Sequence, residues 1–175
     1  MSFLSGTNLY LIGMMGAGKT TVGKILAKEL GYGFCDTDEV LEAATGRTIA
    51  DIFASEGEAQ FRDLETQILA RVATHTRLVV ATGGGIVLKP INWSYLHHGA
   101  IVWLDAPAEL LYDRLKTDTS RPLLQNPDPL GTLQLLLEER RSRYAEADVR
   151  LTVTPQQDPD AIAAEAIAGI QKVLK

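Results

Sequence analysis

Eight residues near the start of the chain have the types and spacing of a phosphate-binding loop. Residues 13–20 read GMMGAGKT and match the pattern G-x-x-x-x-G-K-[ST]. Glycines let the backbone N–H groups turn inward around an anion, and the positive end of a following helix dipole reinforces that binding. Lys19 is placed to reach the β- and γ-phosphates of a nucleotide, and the Thr20 hydroxyl to ligate Mg²⁺. The loop predicts nucleotide binding but does not indicate what accepts the phosphate.

Two carboxylates, Asp36 and Asp38, follow the next short apolar segment. Residues two apart in an extended strand point the same way, so both side chains could face the phosphate loop. One carboxylate near Mg²⁺ and another near an acceptor hydroxyl would suit phosphoryl transfer. A polar turn with a helix N-cap would use the same residue types, and this pattern alone leaves both interpretations open.

An arginine and a glutamate could form a binding site for an anionic substrate. Arg62 and Glu65 are three residues apart on a predicted helix, so they are neighbours on one face. Ser55 and Glu58 have the spacing of a capping box that would begin this helix. Taken alone, the pair is better interpreted as a surface ion pair. The functional alternative is an arginine braced by a carboxylate and aimed at a substrate carboxylate, which its planar fork binds bidentately.

Glycines and arginines later in the chain complete the candidate groups. Residues 83–85 are three successive glycines, which either let a ligand approach the backbone closely or simply form a tight turn. Residues 117–128 are polar, lack periodicity and contain two prolines, which predicts a loop. An arginine in such a loop can close over phosphates, although a solvated charged face is the ordinary fate of most arginines. The arginines in and around this loop are Arg114, Arg121, Arg140, Arg141 and Arg143.

Short apolar segments alternate with helix-period segments along the chain, and they must position these groups. Strands are predicted at 9–13, 34–36, 78–81, 101–104 and 149–153. Helices are predicted at 20–30, 48–53, 55–72, 109–116, 130–144 and 159–173. Such alternation predicts βαβ units and an α/β fold with a five-stranded parallel sheet covered by helices on both faces. Ligands of such sheets bind at the carboxyl ends of the strands, where both glycine-rich segments fall.

Composition limits the classes of protein this chain can belong to. The 175 residues are 46% hydrophobic and 22% charged, which predicts one globular domain over 1–175. A formal net charge of −5 argues against a general nucleic-acid binder or a polybasic membrane binder. One cysteine excludes an internal disulfide framework and favours a reducing compartment. We expect a cytoplasmic protein with no membrane partner, although an organelle protein whose transit peptide has been removed fits equally.

Several segments together resemble shikimate kinase, a small P-loop kinase of the nucleoside-monophosphate-kinase type. The resemblance covers essentially the whole chain in order. It is carried by GMMGAGKTTVGK at 13–24, FCDTDEVLEAATGRTIADIFASEGEAQFRDLE at 34–65, ATGGGIV at 81–87, RPLL at 121–124 and ERRSRYAEAD at 139–148. It implies a three-layer αβα P-loop kinase fold, with a substrate-binding helical segment at about 38–65 and a mobile lid at about 117–128.

The resemblance also implies an activity and a role for individual residues. ATP, with Mg²⁺, would phosphorylate the 3-hydroxyl of shikimate in the pathway to aromatic amino acids. Asp38 would act as the base and Lys19 and Arg121 would stabilise the transferred phosphoryl group, while Glu65 would brace Arg62. The implied nucleotide-binding residues are Gly13, Met14, Met15, Gly16, Ala17, Gly18, Lys19, Thr20, Thr21, Arg114, Arg121 and Gln156. The implied metal ligands are Thr20 and Asp36, and the implied shikimate-binding residues are Asp38, Arg62, Gly83, Gly84, Gly85 and Arg140.

Some alternatives remain at this level. The family often has x-Pro-Leu-Tyr after the substrate arginine, whereas this chain has Arg140-Arg141-Ser142-Arg143-Tyr144, so Arg141 competes with Arg140 for that role. Asp105 ends an apolar run as a Walker B acid would, but the family gives that position no metal role. A kinase of the same fold acting on gluconate or a nucleoside monophosphate is one alternative function, and a nucleotide-binding protein without catalysis is another. We expect a monomer whose partner is a small molecule.

Overall fold

Strands and helices alternate along the chain in the computed structural model, which describes residues 3–174. The strands are β1 (Leu9–Ile12), β2 (Gly33–Asp36), β3 (Leu78–Ala81), β4 (Ala100–Asp105) and β5 (Val149–Thr152). The helices are α1 (Lys19–Leu30), α2 (Thr37–Thr45), α3 (Ile49–Val72), α4 (Pro90–Leu96), α5 (Ala108–Leu115), α6 (Pro129–Tyr144) and α7 (Pro159–Val173). Short 3₁₀ turns cover Ile86–Leu88 and Pro122–Leu124.

The five strands form one parallel sheet in the order β2-β3-β1-β4-β5. In the register, Leu9 of β1 is paired with Val79 of β3 on one side and with Ala100 of β4 on the other. All four residues of β1 are buried, because helices cover both faces of a parallel sheet. The predicted α/β fold with five parallel strands is therefore confirmed. Its carboxyl edge carries the phosphate loop after β1, Asp36 at the end of β2 and the three glycines after β3.

Two helices were not predicted. Helix α2 has nine residues and buries only Thr37 and Leu41, so its apolar pattern is too short to indicate a helix. It begins because one carboxylate oxygen of Asp36 accepts hydrogen bonds from two backbone N–H groups of its first turn. Helix α4 has seven residues and begins with Pro90 at its first turn. Of the helices within residues 3–174, none combines the length and the apolar character that crossing a membrane requires.

The predicted capping box is wrong. Ser55 lies inside α3, where its hydroxyl donates to the Asp51 carbonyl, and Thr48 caps the helix instead by accepting from the Asp51 N–H. The break that the sequence indicated occurs at Gly57, whose φ of 83° and ψ of 173° interrupt α3. Such a backbone conformation is open to glycine and disfavoured for other residues. The second half of α3 therefore changes direction, and it carries Arg62 and Glu65.

Candidate active site

The phosphate loop has backbone angles that only glycine adopts easily. Gly13, Gly16 and Gly18 have φ values of 146°, 78° and 99°. At Gly13 a side chain is excluded by space as well, because a Cβ would lie 2.6 Å from the Leu104 carbonyl oxygen. Gly18 directly precedes α1, so the loop wraps the positive end of that helix. This segment has the geometry of an anion-binding loop.

Lys19 points back over the loop from the first turn of α1. Its Nζ donates to the carbonyl oxygens of Gly13 at 2.5 Å and Met14 at 2.8 Å. Burial lowers the pKa of Lys19 to about 7, against the opposing influence of the Asp38 charge. A phosphate anion beside this group would favour the charged ammonium form.

The acidic pair is arranged by a turn from strand to helix. Asp36 ends β2, and its Oδ2 accepts a hydrogen bond from the Thr20 hydroxyl at 2.8 Å. Asp38 lies in the first turn of α2, so the expectation that both carboxylates lie on one extended strand is wrong. Both still line the cavity that follows the phosphate loop, and Asp36 also accepts a hydrogen bond from the Asp38 N–H at 2.9 Å. A hydroxyl and a carboxylate at this distance fit Mg²⁺, which takes few protein ligands beside nucleotide phosphates.

Asp38 is surrounded by groups of both charges. Burial raises the pKa of its carboxyl and the nearby Asp36 raises it further, while Arg121, Lys19 and Arg62 oppose that rise. Arg121 NH1 lies 3.9 Å from Asp38 Oδ2. The carboxylate is thereby placed between the phosphate loop and the loop at 117–128.

Two arginines are buried beside Asp38, although arginine is rarely buried. Arg62 is 8% exposed and Arg140 is 2% exposed. Arg62 pairs with Glu65 at 3.1 Å and with Glu58 at 3.2 Å. Among residues 3–174, Nε of Arg62 and both Nε and NH1 of Arg140 have no hydrogen-bond partner. A buried guanidinium that lacks partners is costly, so this geometry favours an anionic ligand for Arg140.

Arg141 differs from Arg140 in every one of these respects. Its side chain is 43% exposed and pairs with Glu138 at 3.3 Å on the surface of α6. Arg141 lines neither of the two cavities described below, whereas Arg140 lines the first. Among the two arginines that the sequence left in competition, the geometry therefore favours Arg140.

We expect the buried carboxyl of Glu65 to make the stability of the protein depend on pH. Burial raises the pKa of this carboxyl to about 6 from its ordinary 4.5, because the Arg62 charge only partly compensates for burial. The folded protein then binds the proton more tightly than the unfolded chain, so stability falls as the pH rises from about 4.5 to about 6. The difference in pKa corresponds to about 2 kcal/mol, or a Tm change of about 4–8 °C. Glu65→Gln should remove this contribution, as thermal unfolding of both proteins between pH 4.5 and 7.5 would reveal.

The control for this experiment is Glu58→Gln, which removes the exposed partner of the same arginine. Wild type should lose stability relative to Glu65→Gln as the pH rises, whereas Glu58→Gln should follow the wild-type curve. Parallel Tm curves for wild type and Glu65→Gln would contradict the raised pKa.

The three glycines after β3 pass directly beneath the Arg62–Glu65 pair. A Cβ on Gly83 would lie 2.5 Å from Glu65 Oε2, and a Cβ on Gly85 would collide with the Arg62 guanidinium. The Gly83 N–H donates to the Thr37 hydroxyl at 3.1 Å. Close approach therefore does require glycine here, but it is the protein's own ion pair that approaches. Sequence reasoning considered only a ligand or a tight turn.

Two adjoining cavities occupy the carboxyl edge of the sheet. The first has a volume of about 350 Å³ and contains Arg62, Glu65, Gly85 and Arg140. The second has a volume of about 360 Å³ and follows the phosphate loop. Seven residues line both cavities: Met15, Thr20, Asp36, Asp38, Gly83, Gly84 and Arg121. Two ligands bound side by side would meet at Asp38 and Arg121.

Most of the predicted nucleotide-binding residues lie around the second cavity. Its walls include Gly16, Ala17, Gly18, Lys19, Thr21 and Arg114. Gly13 and Met14 lie under the loop and contribute the carbonyls that bind Lys19. Gln157 lines the cavity, while the neighbouring Gln156 is exposed. The role given to Gln156 remains a prediction, and Gln157 is the glutamine that the geometry brings to the cavity.

Sequence reasoning missed the apolar wall of the first cavity. Phe53 and Phe61 line it, with ring centroids 4.8 Å apart. Their positions on α3 are those of ordinary core residues, so no signal in the sequence distinguishes them. Asp105 lines neither cavity and instead accepts two hydrogen bonds from Arg150, at 2.9 and 2.6 Å. Asp105 therefore pairs with an arginine outside both cavities, which agrees with the absence of a metal role that the resemblance implies.

Comparison with known proteins identifies the family. A sequence model described as shikimate kinase matches residues 15–171. The chain belongs to the shikimate kinase family. This confirms the resemblance predicted from the phosphate loop, the acidic pair and the glycine triplet. The family is one of ATP-dependent P-loop kinases that use Mg²⁺.

Individual relatives match over nearly their whole length. A shikimate kinase of Nostoc sp. is 59% identical over 174 residues, which cover 99% of this chain and 96% of the relative. A shikimate kinase of Synechococcus elongatus is 54% identical, covering 98% of this chain and 90% of the relative. The structure of shikimate kinase from Acinetobacter baumannii in complex with shikimate has 40% identity and a TM-score of 0.93, covering 98% and 96% of the two chains. A gluconokinase from Sinorhizobium meliloti has the same fold, with 23% identity and a TM-score of 0.60.

Proposed function

We propose that this chain transfers the γ-phosphoryl group of ATP to the 3-hydroxyl of shikimate. The observation that carries the proposal is the first cavity, in which two buried arginines and Asp38 adjoin the phosphate loop. Shikimate is a small anionic polyol, so it matches a cavity with a positive end and a carboxylate near the phosphates. Membership of the shikimate kinase family and the shikimate-bound relative from Acinetobacter baumannii support the same conclusion.

The second cavity would hold the nucleotide. Backbone N–H groups of the loop and the Lys19 ammonium would bind the phosphates, and Arg114 would lie near the base. Thr20 and Asp36 would hold Mg²⁺, directly and through water respectively, and the metal would neutralise charge on the phosphates. The hydrogen bond from Thr20 to Asp36 already holds these two oxygen groups together.

The first cavity would hold shikimate by its carboxylate and its hydroxyls. Arg62 and Arg140 would bind the carboxylate, and the backbone at 83–85 would contact ring hydroxyls. Asp38 would orient the 3-hydroxyl toward the γ-phosphate and accept its proton. Because the transition state of phosphoryl transfer is loose, Asp38 need not be strongly basic, and the proton can move late.

Catalysis in this arrangement would come mainly from positioning and electrostatics. The nucleophilic hydroxyl and the phosphorus would be held in line by two cavities that share a wall. Lys19 and Arg121 would stabilise negative charge on the transferred phosphoryl oxygens. Arg121 lies on the loop at 117–128, so closing that loop would complete the charge stabilisation and exclude water.

The substrate-binding role of Arg62 predicts a specific kinetic defect. Arg62→Lys keeps a positive charge opposite Glu65 but loses the planar fork, so shikimate KM should rise about 10- to 100-fold while ATP KM changes less than threefold. Steady-state kinetics with each substrate varied would measure both constants. The control is Arg47→Lys, an exposed arginine paired with Glu56, which should leave both constants unchanged. An unchanged shikimate KM in Arg62→Lys would exclude this role.

We also propose that residues 117–128 form a lid that closes over bound nucleotide. The segment contains a short 3₁₀ turn and positions Arg121 within 3.9 Å of Asp38. Backbone hydrogen exchange of this segment should slow when MgADP and shikimate are added together. Exchange in 159–173, which belongs to α7, provides an internal reference. Equal slowing in both segments would contradict lid closure.

The alternative substrates predict different results in one assay. ADP release would be followed with shikimate, gluconate or AMP as the acceptor, each with MgATP. Release that depends on shikimate alone supports the proposal, whereas release with gluconate or AMP would identify a different kinase of the same fold. ATP binding without release under any condition would indicate a nucleotide-binding protein that lacks catalysis.

We further propose that residues 1–175 act as one domain, with a substrate-binding helical segment at about 38–65, and that the protein works as a monomer in the cytoplasm. A single sheet connects the described segments, and one cysteine and a net charge of −5 agree with a reducing, aqueous compartment. Sedimentation at micromolar concentration should give the mass of one chain, and a dimer would contradict the expectation.

A further inference from the structure

Tyr144 is fully buried at the end of α6 and reaches the wall between the two cavities. Its hydroxyl donates to the carbonyl oxygen of Gly84 at 2.5 Å. Gly84 lines both cavities, and a Cβ on it would lie 3.3 Å from the Met15 backbone nitrogen and 3.4 Å from Arg140 NH1. The peptide at Gly84 thus lies between the phosphate loop and the buried arginine.

The Tyr144 hydroxyl is also next to Arg140, which precedes it by one helical turn. Burial raises the pKa of Tyr144 to about 12, and the positive charge and hydrogen-bonding capacity of Arg140 oppose that rise. The hydroxyl therefore remains protonated at any pH where the enzyme works, so it is a constant donor to Gly84. Nε and NH1 of Arg140 have no partner within the described part of the chain.

The ring of Tyr144 is held from the sheet side. It stacks on Trp103 of β4, with ring centroids 5.6 Å apart and an interplanar angle of 22°. The Arg150 guanidinium lies 4.7 Å from the centre of the Trp103 ring, and Asp105 anchors it by two hydrogen bonds. This gives a function to Asp105, which no nucleotide or metal role explains. The stack fixes where the Tyr144 hydroxyl can lie.

We propose that Tyr144 is a positioning residue that sets the Gly84 peptide and the Arg140 guanidinium in the geometry that binds the substrate carboxylate. The inference rests on the proposed function, since it names a residue that acts on the proposed substrate site through Arg140. Tyr144 itself lines neither cavity. Its effect should therefore appear in substrate affinity and depend on Arg140.

The direct test is Tyr144→Phe, which removes the hydroxyl and keeps the ring that stacks on Trp103. Shikimate KM should rise about five- to tenfold, the size expected for losing one hydrogen bond between neutral groups. The value of kcat should fall less than threefold and ATP KM should change less than twofold. The pH profile of kcat should not move, because the hydroxyl does not titrate in the working range.

A double-mutant cycle tests whether the effect passes through Arg140. Arg140→Lys, Tyr144→Phe and the double variant would be compared by shikimate affinity, normalised to the sites that bind an ATP analogue so that unfolded protein is not counted. Coupling predicts that the second substitution changes affinity by less than twofold once the first is present. Tyr10→Phe is the control, since it removes another buried hydroxyl, that of a β1 residue, which accepts a hydrogen bond from the Asn8 side chain.

Each outcome has a distinct meaning. A wild-type shikimate KM in Tyr144→Phe, or fully additive effects in the cycle, would overturn the positioning role while leaving the proposed function standing. If Tyr144→Phe raised the shikimate KM and the ATP KM alike, and by as much as Tyr10→Phe does, the effect would be general destabilisation. That result would also overturn the positioning role. Absence of shikimate-dependent turnover in the wild type would overturn the proposed function itself.

Discussion

Asp38→Asn is expected to lower kcat by about 10²- to 10⁴-fold while ATP affinity stays within threefold of wild type. Asparagine keeps the size and the hydrogen bonding of the side chain but cannot accept the proton of the attacking hydroxyl. The expectation depends on the position of Asp38 at the meeting of the two cavities, 3.9 Å from Arg121. Steady-state turnover and titration with a nonhydrolysable ATP analogue would separate the two effects.

Asp113→Asn is a matched control for this substitution. Asp113 is an exposed carboxylate on α5 that pairs with Lys116 at 3.7 Å, outside both cavities. Asp113→Asn should leave kcat and ATP affinity unchanged. Turnover of Asp38→Asn within threefold of wild type would exclude Asp38 as the base.

Lys19→Met is expected to lower kcat by about 10²- to 10³-fold and to weaken ATP binding as well. Methionine fills a similar volume but has no charge for the phosphates, and loss of one donor to a developing anion has an effect of this size. Within residues 3–174 the hydrogen bonds of the ammonium go to the Gly13 and Met14 carbonyls, so the fold should tolerate the change. Steady-state kinetics with both substrates would measure kcat and ATP KM, and thermal unfolding would measure the stability of the fold.

Lys24→Met provides the comparison on the same helix. Lys24 is exposed on α1, 5.7 Å from the centre of the Phe34 ring, and lines neither cavity. Its substitution should leave turnover intact. If Lys19→Met retained wild-type kcat and ATP affinity, the phosphate loop would not work as proposed.

The sheet and the phosphate loop were predictable because local rules are sufficient for them. Strands β1, β3 and β4 are short apolar runs and β5 alternates apolar with polar residues, while α1 follows directly from its apolar face and its terminal glycine. Parallel connectivity then places the carboxyl ends of the strands at one edge. The location of the candidate site follows from these rules without tertiary information.

The α2–α3 region was predicted less well, because its form depends on caps and on one glycine. Asp36 begins α2 with a side-chain cap while it also bonds to Thr20, and Gly57 bends α3 without any contact that would restrict a side chain. Neither feature has a periodic signature. Ser55 and Glu58 matched a capping box, but Ser55 instead contacts Arg47, and Glu58 pairs with Arg62 one turn further along the same helix.

The sequence indicated which charged residues belong to the site, but it did not indicate which groups each of them contacts. An Arg62–Glu65 spacing of three residues is found on countless exposed helices, and only the passage of Gly83 and Gly85 beneath the pair explains why it is buried here. The choice between Arg140 and Arg141 depends on the direction of α6, which the sequence does not give. Family resemblance supplied that distinction only in part, and burial with unpartnered nitrogen atoms favours Arg140.

The net charge of −5 and two anionic ligands are compatible because positive charge is concentrated locally. Lys19, Arg62 and Arg140 are buried at the carboxyl edge of the sheet, and Arg121 reaches the same point from its loop. The acidic surplus therefore belongs to the rest of the molecule. The residues that line the two cavities include as many carboxylates as cationic side chains, so the site is positive at Lys19 and its arginines without carrying a net positive charge.

The most direct test follows the phosphoryl group itself. Purified protein would be incubated with Mg²⁺, shikimate and ATP labelled at the γ-phosphate, and the products would be separated and examined by phosphorus–proton NMR. We expect the label on shikimate, with the phosphate coupled to the proton at carbon 3 and one ADP formed for each phosphorylated shikimate. Label that remained in ATP, appeared only as inorganic phosphate, or was found on another oxygen of shikimate would contradict the proposed reaction.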